Sequence, residues 1–284
     1  MKLRVTIIHI FLLLCCVPVV AQELEIDRSR TRLECKHRGI KRCRHYSLTS
    51  SQIPLEFNDF RIVFVADMHY PSLFDSTTLL SLGAMLAELK PNLLLLGGDY
   101  QEGCQYVDPL FDTMMQCEPS HGAFAVLGNN DYERCTDTIL TSMAAHEIRM
   151  IEGNVDTISI GETHILVTGV RNHFTNPETE PSPTIALNDS DFVILLTHTP
   201  DYVEDQDISR TDIALAGHTH GGQVSFFGLY SPVVPSHYGQ KFARGLKYNS
   251  SDIPIIITNG IGTSRKNIRF CARSEIIEIT LHNK

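Results

Sequence analysis

Residues 61–69 read RIVFVADMH, and the same arrangement returns twice: residues 92–99 read NLLLLGGD and residues 123–131 read AFAVLGNND. Each is a short apolar run, too brief for a helix, that ends at a polar loop, which is the pattern of a strand buried on both faces. Between the first two, Ser76 can cap a helix carrying Leu79, Leu80, Leu82, Met85, Leu86 and Leu89, and Pro91 blocks its continuation. Further helices are expected over Asp108–Gln116 and Glu133–His146. Strands alternating with helices imply a largely parallel sheet, in which ligands bind beyond the carboxyl ends of the strands. Asp67, Asp99 and Asn129 all fall at such ends.

The second half of the chain is richer in strands. Thr163–Val170, Phe192–Thr197, Asp212–Ala216, Val224–Phe227, Ile253–Thr258 and Ile276–Leu281 read as strands, and residues 172–191, with three prolines, as a long loop. A second sheet packed face to face on the first accommodates them in one α/β domain. The 284 residues, 43% hydrophobic and 20% charged, suit a globular chain with no repeat or low-complexity tract.

Five pieces carry chemistry: Asp67-Met68-His69, Gly97-Gly98-Asp99, Gly128-Asn129-Asn130-Asp131, Thr197-His198-Thr199, and Gly217-His218-Thr219-His220-Gly221-Gly222. Taken singly, an Asp-x-His is more often a capping pair and a Gly-Gly-Asp more often a turn. Together they offer two carboxylates, an amide oxygen and four imidazoles at strand ends. That mixture suits Zn, Mn or Fe(II) rather than Ca or Mg alone. Seven ligands are too many for one catalytic ion and fit two that share a carboxylate.

In this order the pieces resemble the calcineurin-like metallophosphoesterases, whose pattern runs D-x-H, G-D, G-N-H-D/E, H, then G-H-x-H. The resemblance covers roughly Ser47 to Leu281. The strings GHTHGGQ (217–223) and NGIGTS (259–264), with Arg269 and Ser274-Glu275-Ile276, are similar to a bacterial branch of signal-anchored phosphodiesterases related to UDP-2,3-diacylglucosamine pyrophosphohydrolases. The resemblance implies two packed mixed β-sheets flanked by helices. It also implies two divalent transition metal ions: Asp67, His69 and His220 on the first, Asn129, His198 and His218 on the second, and Asp99 between them. A hydroxide held by both ions would attack a phosphodiester or pyrophosphate.

One position departs from the pattern. Asn130 stands where most of the family has a histidine that contacts phosphate and assists the leaving group. Asparagine can donate a hydrogen bond there but not a proton, and general-acid help is worth roughly 10²–10⁴-fold. Asp131 is expected to orient a ligand or Asn130, or to be a turn residue. A phosphomonoesterase, or a metal-binding pseudoenzyme disabled at Asn130, are the alternatives. Tyr70, Tyr100 and Tyr132 follow the metal loops and could line a cleft or cap the core. His121, His146, His164, His173 and His237 read as surface or loop residues.

The N-terminus suggests export. Lys2 and Arg4 precede an apolar run from Val5 to Val20, and Val19-Val20-Ala21 fits signal-peptidase cleavage, giving a signal peptide over 1–21, a basic arm over 22–46 and a domain over 47–284. An uncleaved membrane anchor is the alternative, and either places the domain in the periplasm or at the cell surface. Six cysteines remain. A Cys35–Cys43 bridge is the first choice and Cys104–Cys135 is plausible, while Cys271 reads as a buried thiol. Formal net charge is −9, yet Arg28–Arg44 holds eight Lys or Arg and only Glu34 as an acid. That segment could contact a membrane surface or remain a solvated arm. The acidic remainder argues against a dedicated nucleic-acid partner. A phosphate-ester small molecule or lipid head group is the expected substrate.

Overall fold

In the computed structural model, which describes residues 24–28, 32–33, 39–171 and 181–284, the three repeated segments are adjacent parallel strands. In chain order the elements are β1 (Glu25–Asp27), β2 (Arg32–Leu33), β3 (Arg42–Ser50), β4 (Phe60–Val65), α1 (Ser76–Leu89), β5 (Leu93–Leu96), α2 (Val107–Met115), β6 (Ala123–Ala125), α3 (Asn129–Glu133), α4 (Thr136–Ala145) and β7 (Ile148–Met150). There follow β8 (Val155–Ile160), β9 (Thr163–Gly169), β10 (Val193–Thr197), α5 (Tyr202–Asp205), β11 (Ile213–Ala216), β12 (Gly245–Tyr248), β13 (Pro254–Ile257) and β14 (Glu275–Asn283). One sheet runs β1-β3-β14-β4-β5-β6-β7, with β2 also on β3. The other runs β12-β13-β11-β10-β9-β8. Both are mixed: β4 to β7 are parallel and β14 is antiparallel to β4, while β9, β10, β11 and β13 are parallel between antiparallel β8 and β12.

The period-2 geometry of the strands decides how the layers pack. From β4 and β5, Ile62, Phe64, Leu93 and Leu95 face the second sheet and meet Ile194, Leu196, Leu215 and Ile256. The alternate residues Val63, Val65, Leu94 and Leu96 face the helices, against Leu82 and Leu86 of α1 and Leu110 and Phe111 of α2. A third cluster covers the outer face of the second sheet with Tyr202, Val203 and Phe242. Both expected features, two packed mixed sheets and flanking helices, are present.

Several details differ from the sequence reading. Helix α1 is capped by Asp75, whose Oδ1 accepts from Thr78 N at 2.8 Å; Ser76 is its first residue. Such a cap satisfies an end N–H for about 1 kcal/mol. The segment Val224–Phe227 is not a strand; it makes isolated bridges to Phe270, Cys271 and Tyr230. The last strand, β14, returns to the first sheet between β3 and β4. A boundary at residue 47 falls inside β3, so Arg42 and Arg44 belong to the sheet and pair with Glu275 of β14 rather than to a solvated arm. Within the expected 172–191 loop, residues 172–180 lie outside the described residues, and Pro183–Ala186 forms one 3₁₀ turn. Residues 1–23, including the expected signal peptide, also lie outside them.

Cys104 and Cys135 form a disulfide, joining the loop after β5 to the start of α4. Cys35 lies outside the described residues, and Cys43 is buried with its Sγ 4.0 Å from Glu278 Oε2. Cys271 is exposed, contrary to its reading as a buried thiol. The bridge spans 31 residues, so removing it frees considerable unfolded-chain entropy. Replacing Cys104 and Cys135 by serine should cost about 2–4 kcal/mol, read as a lower urea midpoint. An unchanged midpoint would mean that the bridge carries no stability.

Candidate metal centre

The polar residues of the three strand-end loops reach the site through unusual backbone. Asp67, His69, Asp99, His218 and His220 all have positive φ, between 42° and 66°, a conformation that costs non-glycine residues about 1–2 kcal/mol apiece. The neighbouring glycines explain how the loops fit. A Cβ on Gly128 would lie 2.0 Å from Asp99 Oδ1, and one on Gly217 would lie 2.7 Å from Asp67 Oδ2. A side chain at either position would push a carboxylate out of place.

From the first sheet come Asp67, His69, Asp99 and Asn129; from the second, His198, His218 and His220. Two groups form. In one, His69 Nε2 lies 3.2 Å from His220 Nε2 and 3.3 Å from Asp99 Oδ2, and His220 Nε2 lies 3.6 Å from Asp67 Oδ1. In the other, His198 Nε2 lies 3.4 Å from Asp99 Oδ2 and 3.2 Å from His218 Nδ1. The same oxygen, Asp99 Oδ2, thus belongs to both. Each group offers ligand atoms close enough to hold a cation.

Burial and partners prepare these atoms for that use. Asp67, His69 and His198 are wholly buried, and Asp99, His218 and His220 nearly so. Asp67 Oδ2 and Asn129 Oδ1 are buried acceptors with no hydrogen-bond partner among the described residues, an arrangement that is costly unless a cation satisfies them. His198 Nδ1 lies 2.7 Å from Gly97 O and His69 Nδ1 lies 2.7 Å from Glu102 Oε1. Each contact holds a proton on Nδ1 and turns Nε2 inward, where a metal ion would displace its proton. The donor set and its orphaned oxygens fit two divalent transition ions.

Ionisation follows from crowding. Burial pushes Asp67 up to about 6. Burial likewise opposes charge on His69 and His198, but the surrounding carboxylates outweigh it and raise them to about 10 and about 9. His218 is depressed to about 3 by burial and by the His198 cation, and His220 falls well below its ordinary value by burial, with His69 and Arg269 adding. Burial would raise Asp99, yet His198 and His69 together hold it well below the usual carboxylate range. The cluster is therefore an uneven charge set in a low-dielectric interior.

Asn130 and Asp131 both hold Asp99 in place. Asn130 donates twice to Asp99, from its backbone N to Oδ1 at 2.9 Å and from Nδ2 to Oδ2 at 2.8 Å. Its side chain steadies the shared carboxylate. Asp131 is buried and accepts from Asp99 N (2.6 Å), Gly128 N (2.8 Å) and Tyr100 N (3.0 Å). It ties the second and third loops together and does not touch the Asn130 side chain by any of these bonds. Burial, with the Asp99 charge behind it, raises its pKa.

The tyrosines divide. Tyr100 is buried and its hydroxyl donates to Leu96 O and Val126 O, and Tyr70 packs against Phe74 and Tyr106, so both cap the core. Tyr132 is half-buried, bonded through its hydroxyl to Glu152 and covered by the Arg171 guanidinium 4.9 Å from its ring. The other histidines lie outside the cluster: His146 pairs with Asp112, His164 with Asp191 and His237 with Asp201, His121 lies against Phe60, and His173 is outside the described residues.

Sequence reasoning missed Glu102, three residues beyond Asp99 with no motif to mark it. It also left the tail strings unexplained. Asp67 O accepts from Ile261 N and Gly262 N; a Cβ on Gly262 would lie 1.8 Å from Met68 O. Gln223 and Ser264 exchange two hydrogen bonds. Half-buried Arg269 donates to Asn259 O and Ala272 O and approaches His220 Nδ1 at 3.4 Å. GHTHGGQ and NGIGTS are thus two loops that brace each other around the first cation group.

The chain is similar to several known proteins. A family model described as calcineurin-like phosphoesterase matches residues 60–222. The uncharacterized metallophosphoesterase YkuE of Bacillus subtilis (strain 168) is 27% identical over 242 residues, 83% of this chain and 84% of that protein. Phosphodiesterase YaeI of Escherichia coli (strain K12) is 26% identical over 230 residues, 78% of this chain and 82% of its own length. Among solved structures, TT1561 of Thermus thermophilus is similar with a TM-score of 0.43 and 12% identity, covering 71% of this chain and 89% of that one. The family match alone spans more than half of the chain and takes in every strand-end loop from Asp67 to His220, so the protein belongs to the calcineurin-like phosphoesterases.

Proposed function

We propose that this metal-dependent phosphoesterase is an exported enzyme that hydrolyses phosphodiester or pyrophosphate bonds at a centre of two divalent transition ions, Mn, Zn or Fe. The observation that carries it is the position of Asp99 Oδ2, 3.3 Å from His69 Nε2 and 3.4 Å from His198 Nε2. Asp67, His69 and His220 would hold one ion, Asn129, His198 and His218 the other, and Asp99 both. When bound, such a pair polarises a phosphoryl oxygen and lowers the pKa of a water.

The chain's own groups set the rest. Glu102 and the Gly97 carbonyl hold the Nδ1 protons of His69 and His198. Asn130 steadies Asp99, and the spare Nδ2–H of its carboxamide can reach a phosphoryl oxygen but supplies no proton to a leaving group. Asp131 is a positioning residue. The likeness to a protein named as a phosphodiesterase and the string GHTHGGQ support the diester reading and the signal-anchored bacterial branch. Export is supported by Lys2, Arg4 and the apolar run ending at Ala21. A pseudoenzyme reading rests on Asn130 alone; the intact set of seven ligand residues favours turnover.

With Mn²⁺ added, the protein should hydrolyse bis(p-nitrophenyl) phosphate, and Asp99→Ala should lose more than the ~100-fold typical of removing an outer partner. Tightly bound metal without turnover would move the reading to the pseudoenzyme. Asn130→Ala should weaken metal binding by roughly 10–100-fold, measured by competition with a chelating dye; unchanged affinity would leave Asn130 no part in holding Asp99. Asn130→His should speed hydrolysis of an alkyl phosphodiester by about 10²-fold or more and leave the nitrophenyl ester, whose leaving group needs no proton, nearly unchanged. Equal effects on both esters would show that the missing acid is not what limits the rate.

A further inference from the structure

Beyond the metal centre, the least expected feature of the surface is an apolar finger. The bridge between Phe226 and Tyr230 closes a tight turn, with Leu229 N donating to Phe226 O at 2.9 Å. At its tip Phe227 is 92% exposed and Leu229 84%, and Phe226 and Tyr230 at its base, with Phe270 bridged to Val224, are about half exposed. Single exposed apolar residues are ordinary, but a contiguous group of this size marks a contact surface. The base of the finger is fixed. Ser231 Oγ donates to Gly221 O at 2.9 Å, Ser231 and Gln240 exchange two hydrogen bonds, and Gly222 has no room for a Cβ against Ser231. It therefore stands on the loop that carries His220.

Behind the tip lies a cavity of about 410 Å³ lined by Gly228 and Leu229 of the finger and by five cations: Arg28, Arg42, Arg44, Arg244 and Lys247. None of the seven residues of the metal centre lines it. Arg42 and Arg44 share one carboxylate, Glu275, and Arg244 Nη2 donates to Ser231 Oγ at 3.0 Å. Arg42 Nε is buried with no hydrogen-bond partner among the described residues. In a chain of net charge −9, this concentration of positive charge is local and directed.

We propose that the finger and the basic cavity together form a docking site for a phospholipid surface with anionic head groups. Phe227 and Leu229 enter the acyl boundary, and the arginines and Lys247 receive a head-group phosphate. Apolar burial combined with attraction to anionic lipid is what holds an interfacial protein to a bilayer. An apolar tip beside a cation-lined cavity matches that chemistry better than a second protein, which would have to match the cations with its own buried acids beside an apolar pocket for the tip, whereas a head-group layer leaves them hydrated. Docking in this way sets the Gly221 loop, and the metal centre with it, close to the lipid surface. It does not require turnover.

The chain contains no tryptophan, so Phe227→Trp in the full chain gives a fluorophore that reports on the finger alone, whatever residues 5–20 do. With vesicles of phosphatidylcholine containing phosphatidylglycerol its emission should shift to the blue and become protected from an aqueous quencher, and with pure phosphatidylcholine it should not. Arg244→Gln with Lys247→Gln, in the Trp background, should weaken this partitioning by roughly 25-fold, about fivefold per cation. Phe227→Glu with Leu229→Glu should lower co-sedimentation with the anionic vesicles relative to the parent, with the circular dichroism spectrum unchanged. A probe that stays exposed on anionic vesicles would overturn the proposal, as would a shift indifferent to lipid charge. So would a cavity that binds inorganic phosphate while the finger ignores vesicles, or a blue shift that appears without lipid as the protein self-associates.

Discussion

Asp99 Oδ2 is the point at which the two sheets meet chemically. It lies within 3.4 Å of an imidazole nitrogen from the first sheet and of one from the second. Much of the surrounding structure holds that oxygen still. Asn130 donates to both carboxylate oxygens, Asp131 accepts from the Asp99 backbone N, and Gly128 yields the space in which the carboxylate lies. Burying Asp67, Asp99 and four imidazoles in a shared pocket opposes folding unless their charges are matched. Two divalent cations would supply that match, and a centre so occupied would also stabilise the body that carries it.

The architecture follows from the same demand. A parallel sheet gathers the carboxyl ends of its strands at one edge, and here two sheets bring those edges together. β4, β5 and β6 supply Asp67, His69, Asp99 and Asn129, while β10 and β11 supply His198, His218 and His220. Each cation group draws on both sheets and cannot form from either alone. The apolar layer between the sheets, with Phe64, Leu95, Leu196 and Leu215, is therefore what sets the distance between the halves of the site. The left-handed loop residues are tolerated because that packing and the paired loops over-determine them.

The site was more legible in the sequence than the fold's periphery. Asp67, Asp99 and Asn129 could be located because each follows a short run of apolar residues, and the glycines beside His218 and His220 announced close backbone approach. The inner strands were read correctly for the same reason, since burial on both faces leaves an unbroken apolar run. β3 was missed because its outward positions carry Arg42 and Arg44, whose charge is answered by Glu275 more than 200 residues away. Val224–Phe227 was misread because apolar residues on an exposed finger have the composition of a strand without its partners. The bond of Asn130 to Asp99 and that of Glu102 to His69 were hidden because they are contacts across loops, which spacing along the chain does not encode.

A direct measurement on the centre itself decides the account. The protein stripped of metal and titrated with Mn²⁺ should take up two ions per chain, and its low-temperature electron paramagnetic resonance spectrum should show the exchange coupling of two ions that share a carboxylate. Asp99→Asn, which keeps the shape of the side chain but removes its charge, should weaken or abolish that coupling. Uptake of a single ion, or of two that behave as isolated Mn²⁺, would contradict a centre organised around Asp99.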